Sequence, residues 1–148
     1  MLRMLREVKR GGCVAFLADL TVPPNQASAV VRAFALEMCV SVLHGVFALR
    51  GDALVVPAIC LPEPDGGSLL RAFPPLEIPR DATAATVAQI CWDFYEPMIR
   101  ANPGLWLWFY KHFRYVPRDP AVPYPFYAKE WDAFDKLRAG GAPASNSV

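Results

Sequence analysis

The spacing of apolar and polar positions changes several times along this chain, and each change predicts an element. In residues 1–10 the apolar positions Leu2, Leu5 and Val8 are interleaved with Arg3, Arg6, Lys9 and Arg10. That spacing predicts a short amphipathic helix facing a core rather than a membrane surface. Gly11-Gly12 ends it. Residues 13–18, Cys-Val-Ala-Phe-Leu-Ala, are continuously apolar up to Asp19, the pattern of a strand buried on both faces. Pro23-Pro24-Asn25 marks a loop. Residues 28–38 fit either a short strand or part of a lid. Residues 39–50 repeat at helical spacing through Val40, Leu43 and Phe47, and Arg50-Gly51 supplies a stop.

Residues 53–61 predict a second buried strand, within which Pro57 must lie at an end, an edge or a bulge because it cannot donate to a ladder. Asp65-Gly66-Gly67 predicts a tight turn, and residues 68–73 a third strand forming a hairpin with the second. Asp81 is placed to cap a helix from Ala82 onward, with an apolar face through Val87, Ile90, Cys91, Phe94 and Met98. Pro97 should kink or restart that helix, and Pro103 should end it. Residues 104–114 are aromatic and then basic. Residues 139–148, Ala-Gly-Gly-Ala-Pro-Ala-Ser-Asn-Ser-Val, read as disordered. Helix, strand, helix and strands in this order predict an α/β fold built on a partial mixed sheet flanked by helices. Because the strand at 13–18 has no earlier strand to pair with, part of that sheet is expected to be missing or to come from a partner.

Composition narrows the functional classes. The chain has 148 residues, 54% hydrophobic and 20% charged, enough for one domain with a real core. Its formal net charge of +1 gives no electrostatic case for nucleic acid. The four cysteines, Cys13, Cys39, Cys60 and Cys91, form no CxxC pair and lie in apolar runs, so they read as free buried thiols rather than metal ligands. No apolar run is long enough to span a bilayer, and the basic start lacks the apolar segment of a signal peptide.

Four blocks occur in a telling order. Gly11 to Asp19 is the first, Ala48 to Pro57 the second, and Pro64-Asp65-Gly66 followed by a strand and Pro74-Pro75-Leu76 the third. The fourth is Ile99-Arg100-Ala101-Asn102-Pro103-Gly104-Leu105-Trp106-Leu107-Trp108, then Tyr110-Lys111-His112-Phe113-Arg114. This order resembles the C-terminal half of the lipid A biosynthesis lauroyl/myristoyl acyltransferases, within the lysophospholipid acyltransferase superfamily. The resemblance covers residues 1–127, leaving 128–148 as a tail. It is strongest at Pro103, Trp106, Leu107 and Trp108, while the family's His-Arg-Arg-Trp-Lys run is replaced by Tyr110 to Arg114.

The resemblance implies transfer of a fatty acyl group from acyl carrier protein or coenzyme A to a hydroxyl of a membrane glycolipid. It implies work at the cytoplasmic face of the bacterial inner membrane, on an anionic surface, with no cofactor beyond the acyl donor. The family's base and orienting acid form a His-x-x-x-x-Asp motif upstream of the first block. Neither histidine here fits it, since Leu49 lies five places after His44 and Pro117 five after His112. These residues are therefore expected to carry no catalytic group and to be inactive alone. The alternative is a non-catalytic module, derived from such an enzyme, that grips a lipid or a partner. Asp19, at the end of an expected strand, Lys111 and Arg114 are the candidate substrate-binding residues, Lys111 and Arg114 for a phosphate or lipid head group. His44 reads as structural and His112 as part of the basic patch.

Overall fold

The computed structural model describes residues 2–25 and 27–140. The first helix, α1 (Leu2–Lys9), forms as its pattern predicts. It lies on α2 (Leu43–Gly51), where a Cβ at Gly51 would come within 2.6 Å of Val8. The helix therefore docks on bare backbone and keeps its basic residues outward.

The core is built on a hairpin in the region that fits either a strand or a lid. Strands β1 (Ser28–Ala33) and β2 (Leu36–Ser41) pair antiparallel in the register Ser28 to Ser41. Their two-residue connection holds Phe34 at φ 55° and Ala35 at φ 64°, the left-handed geometry of a tight hairpin. Residues 39–41, read as the start of a helix, finish β2 instead. A short, mostly apolar stretch fits a covered strand as well as a helix, and the pairing partner decides. Thr21 bridges Val40 on the other edge of β2 and brings Asp19 alongside.

A second hairpin, β3 (Ala58–Pro62) with β4 (Ser68–Ala72), pairs as expected with Pro57 just before the ladder, but it is not buried: β3 alternates between exposed and half-buried residues, and β4 is exposed throughout. Pro57 donates nothing there, but its carbonyl accepts from Phe73 N at 2.9 Å. Helix α3 (Ala84–Ala101) crosses both layers. Its cap is Thr83 rather than Asp81: Thr83 Oγ1 accepts from Thr86 N at 3.1 Å, and Thr86 Oγ1 accepts from Thr83 N at 3.3 Å. Pro97 is carried inside the helix without ending it. Val87, Ala88, Cys91 and Trp92 form its buried face, and Trp92 packs with Val31, Met38, Val40 and Phe113 in the main core. Gly45 of α2 allows the crossing, since a Cβ there would lie 2.6 Å from the Ala84 carbonyl oxygen.

Two short 3-10 turns follow, Pro103–Leu105 and Trp108–Tyr110, then β5 (Tyr115–Val116) paired parallel with β6 (Lys129–Glu130), and α4 (Asp132–Gly140). The stretch set apart as a tail thus contributes a strand and a helix. Phe134 is fully buried, and Arg138 meets Glu37 of β2 at 2.7 Å. The disorder expected for 139–148 lies mostly outside the described residues; 139 and 140 close α4.

The mixed α/β class is as expected, but among the described residues the strands form three separate two-stranded ladders. Residues 13–18 are extended and join none of them. Phe16 packs on the Phe47 ring at 5.2 Å, while Leu17 is 73% exposed, so only one side of this run is covered. An apolar run signals burial; it does not supply a hydrogen-bonding neighbour.

Candidate functional site

Between residues 16–19, β3 and the C-terminal half of α3 lies a cavity of about 600 Å³, within the range of small-molecule sites. Residues 16–18 and β3 both line it and do not pair with each other. The walls are apolar: Phe16, Ile59, Leu61, Trp92, Met98 and Leu105 contribute. Four polar side chains reach it, namely Asp19, Arg71, Tyr95 and Asn102. The Tyr95 hydroxyl donates to the Ala58 carbonyl and accepts from the Ala58 amide, both at 3.2 Å. Burial raises the Tyr95 pKa and the charge of Asp19 adds to the rise, so the phenol stays a neutral donor.

Asp19 is held by Trp106. The indole Nε1 donates to Asp19 Oδ2 at 3.2 Å across 87 positions of sequence. Trp106 is itself clamped: its ring stacks on Phe34 at 5.3 Å and on His112 at 4.0 Å, and meets Trp92 edge-on at 5.7 Å. The first and fourth sequence blocks therefore meet at one wall of the cavity, where a carboxylate is fixed with Oδ1 unbonded among the described residues. A fixed carboxylate beside an apolar chamber can accept a hydrogen bond from a ligand hydroxyl.

His112 is not part of a surface patch; it is 1% exposed beneath Trp106. Its Nε2 donates to the Leu107 carbonyl at 3.2 Å, leaving Nδ1 a bare lone pair close to the Asp19 backbone, with no bond of ordinary geometry. Burial lowers its pKa, Asp19 partly opposing, so the ring is neutral and closed off from the cavity. His44 is buried in α2, with its pKa lowered by burial and Nε2 unbonded, in keeping with a structural residue. Neither histidine forms an ion pair with a carboxylate among the described residues.

Lys111 and Arg114 do not join Asp19 at the cavity. Arg114 donates from Nε to the Lys111 carbonyl at 3.2 Å and from Nη2 to the Tyr110 carbonyl at 3.3 Å, and lies over the Tyr110 ring. Much of its capacity is spent holding this turn. Lys111 is exposed, with Nζ 5.8 Å from the Tyr127 ring centre. Cys39 and Cys91 are buried thiols with pKa values pushed up to about 11, as expected, whereas Cys13 and Cys60 are exposed. All four are free, and the described residues hold no metal-binding cluster.

Sequence reasoning missed Tyr95, Trp92 and Arg71. A second stripe on α3, Ala88-Trp92-Tyr95-Ile99, has the same helical spacing as the one chosen and was the available signal. No helix among the described residues is long and apolar enough to cross a membrane.

With this geometry in place, the comparisons with known proteins give one match. The family model for bacterial lipid A biosynthesis acyltransferase covers residues 1–115. No curated protein and no solved structure matches the chain.

Proposed function

This chain belongs to the bacterial lipid A biosynthesis acyltransferase family, and on that premise we propose that its cavity holds a fatty acyl chain while Asp19 receives a hydroxyl of the acceptor glycolipid. The donor is an acyl thioester of acyl carrier protein or coenzyme A, and the acceptor a lipid A-type glycolipid at the cytoplasmic face of the inner membrane. The observation that carries this reading is the Trp106–Asp19 bond on the wall of an apolar cavity. It links the two blocks in which the family resemblance begins and is strongest. An alkyl chain suits the walls, because burying methylenes against Trp92, Ile59 and Met98 is favourable by about 0.8 kcal/mol each. Asp19 and Tyr95 then orient the polar end.

These 148 residues bind substrate but do not transfer the acyl group. Proton abstraction needs a base within hydrogen-bond reach of the hydroxyl. His112 and His44 are both sealed in packing, and neither lines the cavity. The purified chain is assayed with an acyl carrier protein thioester and a lipid A precursor. No turnover is expected. Turnover that disappears in His44→Ala or His112→Ala would show that one of these rings is a base and overturn the assignment.

A further inference from the structure

We propose that two neighbouring turns, centred on Phe109 and Phe126, insert into an anionic lipid bilayer, with Lys111 between them meeting the head groups. Phe109 is 93% exposed in the 3-10 turn Trp108–Tyr110, and Phe126 is 99% exposed. Phe126 occupies the first corner of a β-turn closed by Ala128 N donating to the Pro125 carbonyl at 2.9 Å. Turn corners ordinarily carry glycine, proline or small polar residues, each for a backbone reason. A bare phenylalanine at the corner of one turn and another within a 3-10 turn serve neither turn's backbone, so their rings need another partner.

The two tips form one surface. Lys111 follows Phe109 by two residues, in left-handed geometry at φ 58°, and its ammonium lies over the Tyr127 ring. That ring packs 5.7 Å from Phe126. Leu107 and Trp108 continue the patch beside Phe109, Leu107 largely exposed and Trp108 about half exposed. Lys111 makes no ion pair among the described residues, and Arg114 is paired only with carbonyls and the Tyr110 ring. The patch is thus apolar at its tips, with tyrosine and tryptophan rings behind them and uncompensated positive charge. That order matches the depth profile of a bilayer: hydrocarbon, aromatic belt, then phosphate. A protein partner would call for a recess or a flat core with a polar rim rather than two protruding rings.

The inference rests on the lipid-substrate reading only in placing the chain at a bilayer, and it can fail separately. The full chain is floated with vesicles of phosphatidylcholine alone and of equal parts phosphatidylcholine and phosphatidylglycerol. Phe109→Ser with Phe126→Ser should weaken binding to the anionic vesicles by ~10-fold or more, since the rings carry the insertion. Lys111→Gln should weaken binding to the anionic vesicles alone, by ~5-fold. Because both rings contact solvent, the double variant should melt like the parent chain; if it does not, Phe126→Ser alone is read instead. Binding by the parent chain to neither vesicle, undiminished binding by the serine variants, or their only effect being loss of self-association would each overturn the proposal. The same variants should bind a soluble fatty acid in the cavity as the parent does. Loss of cavity binding in the parent with vesicle insertion intact would sink the substrate reading and leave this one standing.

Discussion

Trp106 makes four aromatic contacts as well as its bond to Asp19, and the residue it covers most closely, His112, gives the clearest test at this scale. The His112 pKa is lowered from 6.5 by burial, so between its folded value and 6.5 the unfolded chain binds more protons. Stability contributed by keeping this ring neutral is full above 6.5 and lost as pH falls from there toward the folded value. His44 shifts in the same direction for the same cause. His112→Phe keeps a ring on Trp106 and removes the titration. Melting temperatures of the parent chain should fall between neutral pH and about pH 5, and His112→Phe should show a smaller fall over that window. An equal fall in both would mean that His112 takes up its proton in the fold as readily as in the unfolded chain.

Among the elements, the β1–β2 hairpin is the most revealing. A two-residue connection with both residues at positive φ normally uses glycine or asparagine, yet here Phe34 and Ala35 occupy it. Phe34 is kept by its ring, which stacks on Trp106 and lies under the Arg100 guanidinium at 5.0 Å. Ala35 is exposed and brings no such compensation. Ala35→Gly should therefore relieve strain and raise stability by about 1 kcal/mol, read as a higher urea midpoint at unchanged slope. A lower midpoint would show that the turn is not left-handed at this residue.

The same hairpin explains what could and could not be read from sequence. Without a glycine pair no turn signal lies between residues 28 and 41, so the sequence leaves 28–38 as a strand or part of a lid and joins 39–41 to α2. Where turn chemistry was explicit, at Asp65-Gly66-Gly67, the β3–β4 hairpin was legible. The helices α1 and α3 were legible from their 3.6-residue spacing. Asp19 stood out because it ends an apolar run, and it does line the cavity. The carbonyl bonds of Arg114 and the burial of His112 were not, because charge in a sequence does not say what a side chain faces. Segment 128–140 looked like a tail because its one large core residue, Phe134, lies among charged neighbours.

At the scale of the whole molecule, three things converge: family membership, an apolar cavity, and a fixed carboxylate at its wall. Leu17 of the run 13–18, Leu54 ahead of β3 and Leu70 of β4 are all more than 70% exposed. The cavity opens among these same segments, so its wall is built by elements joined through few hydrogen bonds, able to adjust to a chain of variable shape. Trp92 and Trp106 both line it, which gives a direct optical test of the central claim. The chain is titrated with a saturated fatty acid brominated along its length, below the concentration at which it forms micelles, and tryptophan emission is followed. Saturable quenching is the predicted result, with Ala18→Phe, which fills the cavity, weakening it by ~10-fold or more. Emission that does not change, or quenching equal in the parent chain and Ala18→Phe, would contradict the account.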